Sequence, residues 1–220
     1  MELKPKYINI HSHSSTDEAK VLTVRNLFHN QNPDDFSESY FSVGLHPWHI
    51  KGTDIQHAMK SIIELSADER IIAIGEVGLD RTIETEVDFQ KKLLRMHLDI
   101  AESCRKPLII HCVRAFPELI QTLKSSTVPV IIHGFRGNIQ TVTELIRHGF
   151  YISLGAVVLD CPQKLCSAVV NIPLPQLFFE TDEAKSSIKD IYKTTAEMMS
   201  VSEPELCSRI HMNFKTAFGL

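Results

Sequence analysis

The sequence lacks the features that would place it in several large classes of protein. No apolar run approaches the roughly 18–20 residues that a membrane-spanning helix needs. The first residues lead directly into a strand-like run, without the charged and apolar regions of a secretory signal. The five cysteines are scattered rather than regularly spaced. We therefore expect reduced thiols, a cytoplasmic protein and no membrane association.

An excess of basic residues is also missing. The chain has 23 Lys and Arg against 27 Asp and Glu, a net charge of −4, so no broad basic field is available to hold nucleic acid. What is present is ordinary for a folded protein: 43% hydrophobic and 23% charged residues. These values exclude disorder. The length of 220 residues, with no linker or repeat, predicts a single domain over 1–220, and no obligate protein partner is evident.

Short apolar runs rich in β-branched residues recur along the chain, and amphipathic patterns separate the later ones. The eight runs cover 7–10, 20–24, 40–45, 71–74, 108–110, 130–132, 151–154 and 177–179. Runs of this kind predict strands buried on both faces, as in a parallel sheet. We predict a compact TIM-type (β/α)8 barrel with irregular, shortened first connections, since 14–19 is too short for a helix. A doubly wound open sheet is the alternative.

The helices are predicted from periodicity and capping residues. The clearest amphipathic pattern covers 84–104. Asn138 is predicted to cap another helix that ends at Gly149. A last helix is predicted after Ser202, which stands three residues before Glu205 as in a capping box.

Imidazole and carboxylate side chains follow six of the eight predicted strands. The carboxyl ends of parallel strands meet at one rim of a barrel, where active sites lie. The predicted metal ligands at this rim are His11, His13, Glu76, His111, His133 and Asp182. The alternative is that these groups only cap strand ends.

The spacing and number of these donors suggest the chemistry. His11 and His13 are two residues apart, so on a strand both project to the same side. Imidazoles and carboxylates bind divalent metals such as zinc and manganese. Six donors are too many for one catalytic metal and suit two, with a carboxylate such as Glu76 bridging. Two metals can hold an activated water and bind the oxygens of an ester.

Motifs along nearly the whole chain resemble those of the TatD-type metal-dependent hydrolases of the amidohydrolase superfamily. The matching segments are INIHSH (8–13), VGLHPW (43–48), AIGEVGLD (73–80), LIIHCVRA (108–115), IIHGFRG (131–137), FETDEA (179–184) and NFKTAFGL (213–220). The resemblance implies a TIM-type barrel that hydrolyses phosphodiesters, with deoxyribonuclease activity as the commonest assignment. We expect it to act on ends or single strands of nucleic acid, as a 3′–5′ exonuclease.

The resemblance also implies a cofactor and roles for the site residues. The cofactor is two divalent metal ions, with Mg, Mn and Zn as candidates. Asp182, which would orient or deprotonate the attacking water, and Glu76 are the predicted catalytic residues. One metal would be held by His11, His13 and Asp182, and the other by His111 and His133, with Glu76 bridging.

Three further residues are predicted to bind substrate: His46, Arg114 and Arg136. For His46 the alternative to substrate contact is a hydrogen bond within its own turn. For Arg114 and Arg136 the alternative to binding phosphate oxygens is that they are solvated loop residues. Trp48 either stacks on a base or packs over the barrel mouth.

Two other functions are compatible with the same residues. The first is a metallo-amidase or lactonase that acts on a small acyl substrate with the same metals. The second is a non-catalytic barrel that binds metal or a partner. It is suggested by Asn9, which replaces the usual Asp of the family pattern, and by the short segment after Asp182.

Overall fold

The computed structural model describes residues 6–14 and 18–220. Eight parallel strands form one sheet in which each strand pairs with the next, in the order β1 to β8. The strands are β1 (Tyr7–Ser12), β2 (Val21–Phe28), β3 (Tyr40–Gly44), β4 (Ile71–Asp80), β5 (Leu108–Val113), β6 (Val130–Ile132), β7 (Tyr151–Leu154) and β8 (Leu177–Phe179). This sequential order confirms the predicted TIM-type barrel and not the doubly wound alternative.

The α-helices follow β3 and later strands and flank the barrel. They are α1 (Ile55–Leu65), α2 (Val87–Cys104), α3 (Phe116–Leu123), α4 (Ile139–Arg147), α5 (Gln163–Val169), α6 (Ile188–Met199) and α7 (Glu203–Phe218). The predicted caps are present: Asn138 accepts a hydrogen bond from the backbone of Thr141, and Ser202 accepts one from Glu205.

The first connections are short, as predicted. Between β2 and β3 the chain forms only a 3₁₀-helix, Pro33–Asp35, and no α-helix. The predicted short crossover at 14–19 lies partly outside the described residues. The barrel is therefore irregular where its first three strands join.

The seam between β1 and β8 closes through a few specific contacts rather than a long ladder. Ser12 and Asp182 form a parallel bridge. The His13 amide donates to the Asp182 carbonyl at 3.2 Å, and the Asp182 amide donates to the His11 carbonyl at 3.1 Å. Asn9 adds two bonds to Thr181: its amide Nδ2 donates to Oγ1 at 2.8 Å, and its Oδ1 accepts from the backbone amide at 3.0 Å.

Strand β4 is buried along its whole length and approaches β5 closely. A Cβ atom on Gly78 would collide with the backbone oxygen of His111, so this position admits only glycine. The close approach brings the carboxyl end of β4 beside that of β5. Both strands therefore present their polar residues at the same point of the rim.

His97 lies within the packing of α2 against the barrel and is a satisfied core histidine. It is fully buried. Its Nδ1 donates to the Leu93 carbonyl at 2.8 Å and its Nε2 accepts from the Leu45 amide at 3.1 Å. Burial lowers the pKa of His97 to about 4. Its neutral ring joins α2 to the end of β3.

Within residues 6–14 and 18–220, no helix is both long and apolar enough to cross a membrane.

Candidate metal centre

The carboxylate of Glu76 lies at the centre of the rim, with histidines around it. The residue is 3% exposed. Three histidine nitrogens surround its Oε1: Nε2 of His133 at 2.6 Å, Nε2 of His46 at 3.1 Å and Nδ1 of His111 at 3.2 Å. Histidines from three different strand ends therefore face one carboxylate oxygen.

The second oxygen of Glu76 faces the first and last strands. Nε2 of His13 lies 3.2 Å from Oε2, and Nε2 of His11 lies 3.4 Å from it. The Oδ1 atom of Asp182 is 3.5 Å from His13 and 3.6 Å from His11. The two oxygens of Glu76 thus separate the predicted ligands into a β1–β8 set and a β5–β6 set.

Asn26 on β2 fixes the backbone of Glu76. Its Oδ1 accepts from the Glu76 amide at 2.8 Å and from Oγ of Ser42 at 3.0 Å. Both Asn26 and Ser42 are buried. These bonds tie three adjacent strands together below the site and limit the movement of the Glu76 carboxylate.

Asp80, at the end of β4, orients His111. Nε2 of His111 lies 3.0 Å from Asp80 Oδ2. Asp80 also accepts from the Trp48 indole at 2.8 Å and from the Thr82 amide at 2.7 Å, and these bonds contribute to a pKa of about 2, although burial opposes the shift. With its Nε2–H donated to Asp80, His111 directs the Nδ1 lone pair at the Glu76 side.

Glu180, the first residue after β8, orients His133 in the same way but through the other ring nitrogen. Its Oε1 lies 3.3 Å from His133 Nδ1 and accepts from the Gly134 amide at 2.5 Å. Glu180 is fully buried. His133 therefore directs Nε2 at the cluster, and a carboxylate behind each histidine is the usual second layer of a metal site.

The electrostatics of the cluster favour positive charge at its centre. Burial by itself would raise the pKa of Glu76, but the charge of His133 and the hydrogen bonds of the neighbouring histidines hold it well below its ordinary value. Burial would lower the pKa of His133, whereas Glu76 and Glu180 raise it well above its ordinary value. The negative charge of a buried carboxylate must be balanced by a positive charge beside it, which here is either a proton on the histidines or a bound cation.

The donor set fits divalent metal ions. Three groups of residues each bring their own ligand atoms within 4.8 Å of one another. These groups are His11 with His13 and Asp182, His11 with Glu76 and His133, and His46 with Glu76 and His111. Among the described residues, the buried ring nitrogens of His11 have no hydrogen-bond partner. Buried nitrogens are rarely left without a partner, and a metal ion would satisfy Nε2.

His46 differs from the other histidines of the cluster. Its Nδ1 accepts from the Trp48 amide at 3.1 Å, so the proton of the neutral ring is on Nε2. Burial lowers the pKa of His46, which favours this neutral form. His46 therefore donates to Glu76 through Nε2 and has no free lone pair for a metal.

The arginines predicted to bind substrate lie in different surroundings. Arg136 is exposed and lines a cleft of about 330 Å³, together with Gly134, Gly155, Glu180 and Asp182. Arg114 follows β5 in the left-handed conformation, with φ of 55°, and is exposed. Arg81, which follows β4 and has no predicted role in substrate binding, pairs with Glu118 on the surface. Only Arg136 is therefore placed in the wall of the cleft beside the cluster.

The six predicted ligands converge on one site, and sequence reasoning missed the residues that support them. Asp80 and Glu180 belong to the strand-end segments quoted above, but no role was predicted for either. Asn26 carries no signal in the sequence, since one polar residue in an apolar strand is common. A signal for Glu180 was available, since it is an acidic residue that directly follows the predicted strand 177–179, whereas Asp80 stands six residues after the predicted run 71–74.

A family model described as TatD related DNase matches residues 11–219. A curated relative, the uncharacterized metal-dependent hydrolase YabD of Bacillus subtilis, is 28% identical over 85% of this chain and 80% of its own length. Another uncharacterized metal-dependent hydrolase, from Buchnera aphidicola, is 29% identical over 76% of this chain and 66% of its own length.

Solved structures share the fold. YjjV, a TatD homologue from Escherichia coli, superposes with a TM-score of 0.86 at 19% identity and covers 98% of this chain and 99% of its own. A TatD family hydrolase from Entamoeba histolytica superposes with a TM-score of 0.76 at 15% identity over 99% of each chain. The fold and rim define a TIM-type barrel with a cluster suited to divalent metals. By its match over nearly the whole chain, the protein belongs to the TatD related DNase family.

Proposed function

We propose that the protein is a metal-dependent hydrolase that cleaves phosphodiester bonds of DNA at ends or in single strands, using two divalent metal ions. The observation that carries this proposal is the position of Glu76. Its two carboxylate oxygens face two separate sets of ligands, as a residue shared by two metals would. The family name, TatD related DNase, supports the choice of substrate.

The ligand sets follow from the oxygens of Glu76. The first set is His11, His13 and Asp182, and the second is His111 and His133. Divalent ions bound there would lower the pKa of the attacking water and polarise the phosphoryl group. Mg, Mn and Zn all suit a mixed nitrogen and oxygen site.

The side chains supply the remaining steps. Asp182, whose side chain is 40% exposed, is the carboxylate that meets solvent and takes the proton from the attacking water. His46 donates its Nε2 proton in a hydrogen bond to a phosphoryl oxygen that displaces Glu76 as its acceptor. Water adds to phosphorus, the P–O ester bond breaks, and the leaving oxygen keeps the electron pair and takes up a proton from solvent.

The access route favours ends over continuous duplex. The cleft of about 330 Å³ is at the lower end of the size range of small-molecule sites. Arg136 on its wall offers a fork of donors to a phosphate. With a net charge of −4 the chain lacks a broad surface that would attract a duplex. A terminal nucleotide or a single strand is the substrate that these features accommodate.

The test is hydrolysis of a 3′-labelled single-stranded DNA oligonucleotide by protein stripped of metal, with Mg, Mn or Zn added back and EDTA as the control. We expect metal-dependent shortening by the wild type and a loss of at least about 1,000-fold in Glu76→Gln. Glu64→Gln, at a solvent-facing position on α1, is the matched control and should cleave like the wild type. Two metal ions per chain should bind to the wild type.

Three other results would contradict the proposal. Hydrolysis of a lactone or amide panel without cleavage of DNA would indicate a metallo-amidase or lactonase. Metal binding without turnover of any substrate would indicate a non-catalytic barrel. Full activity of Glu76→Gln would show that the cluster is not the active site.

A further inference from the structure

Trp48 is the only tryptophan of the chain and lies on the rim beside the cluster. With 60% of its surface accessible, it is the most exposed large hydrophobic residue in the part of the chain that the structure describes. Leaving apolar surface in water is unfavourable by roughly 25 cal/mol per Å². The ring is therefore not buried over the barrel mouth, and more than half of its surface is free to contact a ligand.

The exposed ring is held in one orientation. Its Nε1–H donates to Asp80 Oδ2 at 2.8 Å, and its backbone amide donates to His46 Nδ1 at 3.1 Å. The ring also makes edge-on contacts with His46 at 5.2 Å and with His111 at 6.1 Å between centroids. A ring that is already fixed loses little side-chain entropy when a ligand stacks on it.

The ring is also close to the chemistry. Asp80 Oδ2 accepts from Trp48 and lies 3.0 Å from His111 Nε2, while the other nitrogen of His111 lies 3.2 Å from Glu76. One carboxylate therefore connects the indole to a predicted metal ligand. Trp48 follows β3, whereas the cleft with Arg136 is formed after β6, β7 and β8. In an eight-stranded barrel, β3 and β7 lie on opposite sides of the rim.

We propose that Trp48 is the stacking surface for a nucleobase that flanks the scissile phosphodiester. This inference rests on the proposed function and specifies how that substrate is held. Stacking accepts any base, because every base has a π-face, and it needs no positive charge. It therefore supplies affinity for a single strand or frayed end in a chain with net negative charge, while a paired base within a duplex is not available to the ring.

The experiment is a cycle that combines enzyme variants with substrates that lack a base. Three single-stranded DNA oligonucleotides are compared. One is complete, one has an abasic residue on the 5′ side of the 3′-terminal phosphodiester, and one has an abasic residue on its 3′ side. With the wild type, one abasic substrate should raise KM about 10-fold, the effect of one lost stack. Trp48→Leu should raise KM for the complete oligonucleotide by a similar factor, and removal of the same base should then add little.

Two further variants separate stacking from positioning. Trp48→Phe keeps an aromatic face but loses the N–H that bonds to Asp80, and it should recover most of the KM lost in Trp48→Leu. Ile63→Ala, which truncates a side chain of α1 that is 55% exposed, is the matched control and should keep the wild-type KM. A KM increase in Trp48→Leu that is equal on all three substrates would overturn the proposal. So would a loss of kcat that Trp48→Phe does not recover, since it would indicate positioning of Asp80.

A binding measurement keeps this result separate from the proposed function. The fluorescence of the single tryptophan is followed during titration of the wild type with dAMP and with deoxyribose 5-phosphate in the presence of Mg. Quenching of the fluorescence by dAMP but not by deoxyribose 5-phosphate supports the stacking surface. Equal responses to both compounds, or no response, overturn it even when the protein cleaves DNA. If the wild type cleaves none of the oligonucleotides, the proposed function fails, and this titration alone decides whether Trp48 stacks on a base.

Discussion

Around the rim, the side formed by β3, β4 and β5 differs from the side formed by β6, β7 and β8 in length and exposure. Strand β4 has 10 residues and β5 has 6, whereas β6, β7 and β8 have 3, 4 and 3. On the long-strand side, Asp80 is fully buried and bonded to Trp48, Thr82 and His111. On the short-strand side, the Asp182 side chain is 40% exposed and the cleft opens beside it.

This difference indicates a division of labour within one site. The long-strand side holds its ligands through hydrogen bonds that leave little freedom, because Gln90 binds both the amide and the carbonyl of Asp80, at 2.7 and 2.9 Å. On the short-strand side Glu180 is held in a similar way, but Asp182 is open to solvent. Changes at Asp80 should therefore lower stability together with activity, and changes at Asp182 should lower activity alone.

The largest expected effect is on the short-strand side. Asp182→Asn removes the carboxylate that we propose as the base and as a metal ligand, so kcat should fall about 1,000-fold or more. Because the side chain is 40% exposed, the free energy of unfolding should change by less than about 1 kcal/mol. Hydrolysis assays and urea unfolding would measure both quantities. A strongly destabilised Asp182→Asn would break the comparison.

The next largest effect is on the long-strand side. Asp80→Asn leaves one oxygen to accept the bonds that two oxygens share, and it turns an amide N–H toward a donor. The free energy of unfolding should fall by about 3 kcal/mol, and metal affinity should fall about 10- to 100-fold. Urea unfolding and metal titration would test this expectation. Loss of metal affinity with unchanged stability would show that Asp80 is not part of a rigid support.

A smaller effect concerns pH. The folded-state pKa of His97 is about 4, below its ordinary value of 6.5, so unfolding takes up a proton between these values. The contribution of His97 to the free energy of unfolding is fully present above pH 6.5 and is lost as pH falls toward 4. The part lost between pH 7 and pH 5 is about 2 kcal/mol. Urea unfolding at both pH values should show a loss smaller by this amount in His97→Gln than in the wild type. Equal losses would contradict the prediction.

The smallest effect is at the cleft. Arg136→Ala should raise KM for a DNA oligonucleotide about 10-fold and leave stability unchanged, because the guanidinium is exposed. Arg147→Ala is the matched control, since this arginine lies on α4 and pairs with Glu144 on the surface. The same KM increase in both variants would indicate a general effect of charge rather than a contact in the cleft.

The strands and the convergence of the site residues were predictable from the sequence. Apolar runs followed by His or Glu predict a strand and place the polar residue toward the rim, and His133, directly after β6, meets Glu76 as expected. Strand β4 is longer than the predicted run 71–74: it continues to Asp80, so Glu76 lies within it. The TIM-type barrel followed from the number and spacing of such runs. None of these inferences depends on knowing how neighbouring strands align.

The orientation of individual groups was not predictable, because it depends on strand register. Whether Asp80 faces a metal or a histidine is decided by the pairing of β4 with β5, in which Gly78 lies opposite His111. The tautomer of His46 is decided by the 3₁₀ turn of Pro47–His49, which points the Trp48 amide at its ring. A sequence contains neither the register nor the turn geometry in readable form.

The seam between β1 and β8 has a consequence for synthesis of the chain. The Asn9–Thr181 bonds join residues 172 positions apart, and the same seam brings His11 and His13 beside Asp182. A nascent chain still lacking its last strand has two of these three ligands and no closed ring. The proposed ligand set of His11, His13 and Asp182 is therefore complete only after Asp182 has left the ribosome, so a metal ion bound there would join the protein after all eight strands have been made.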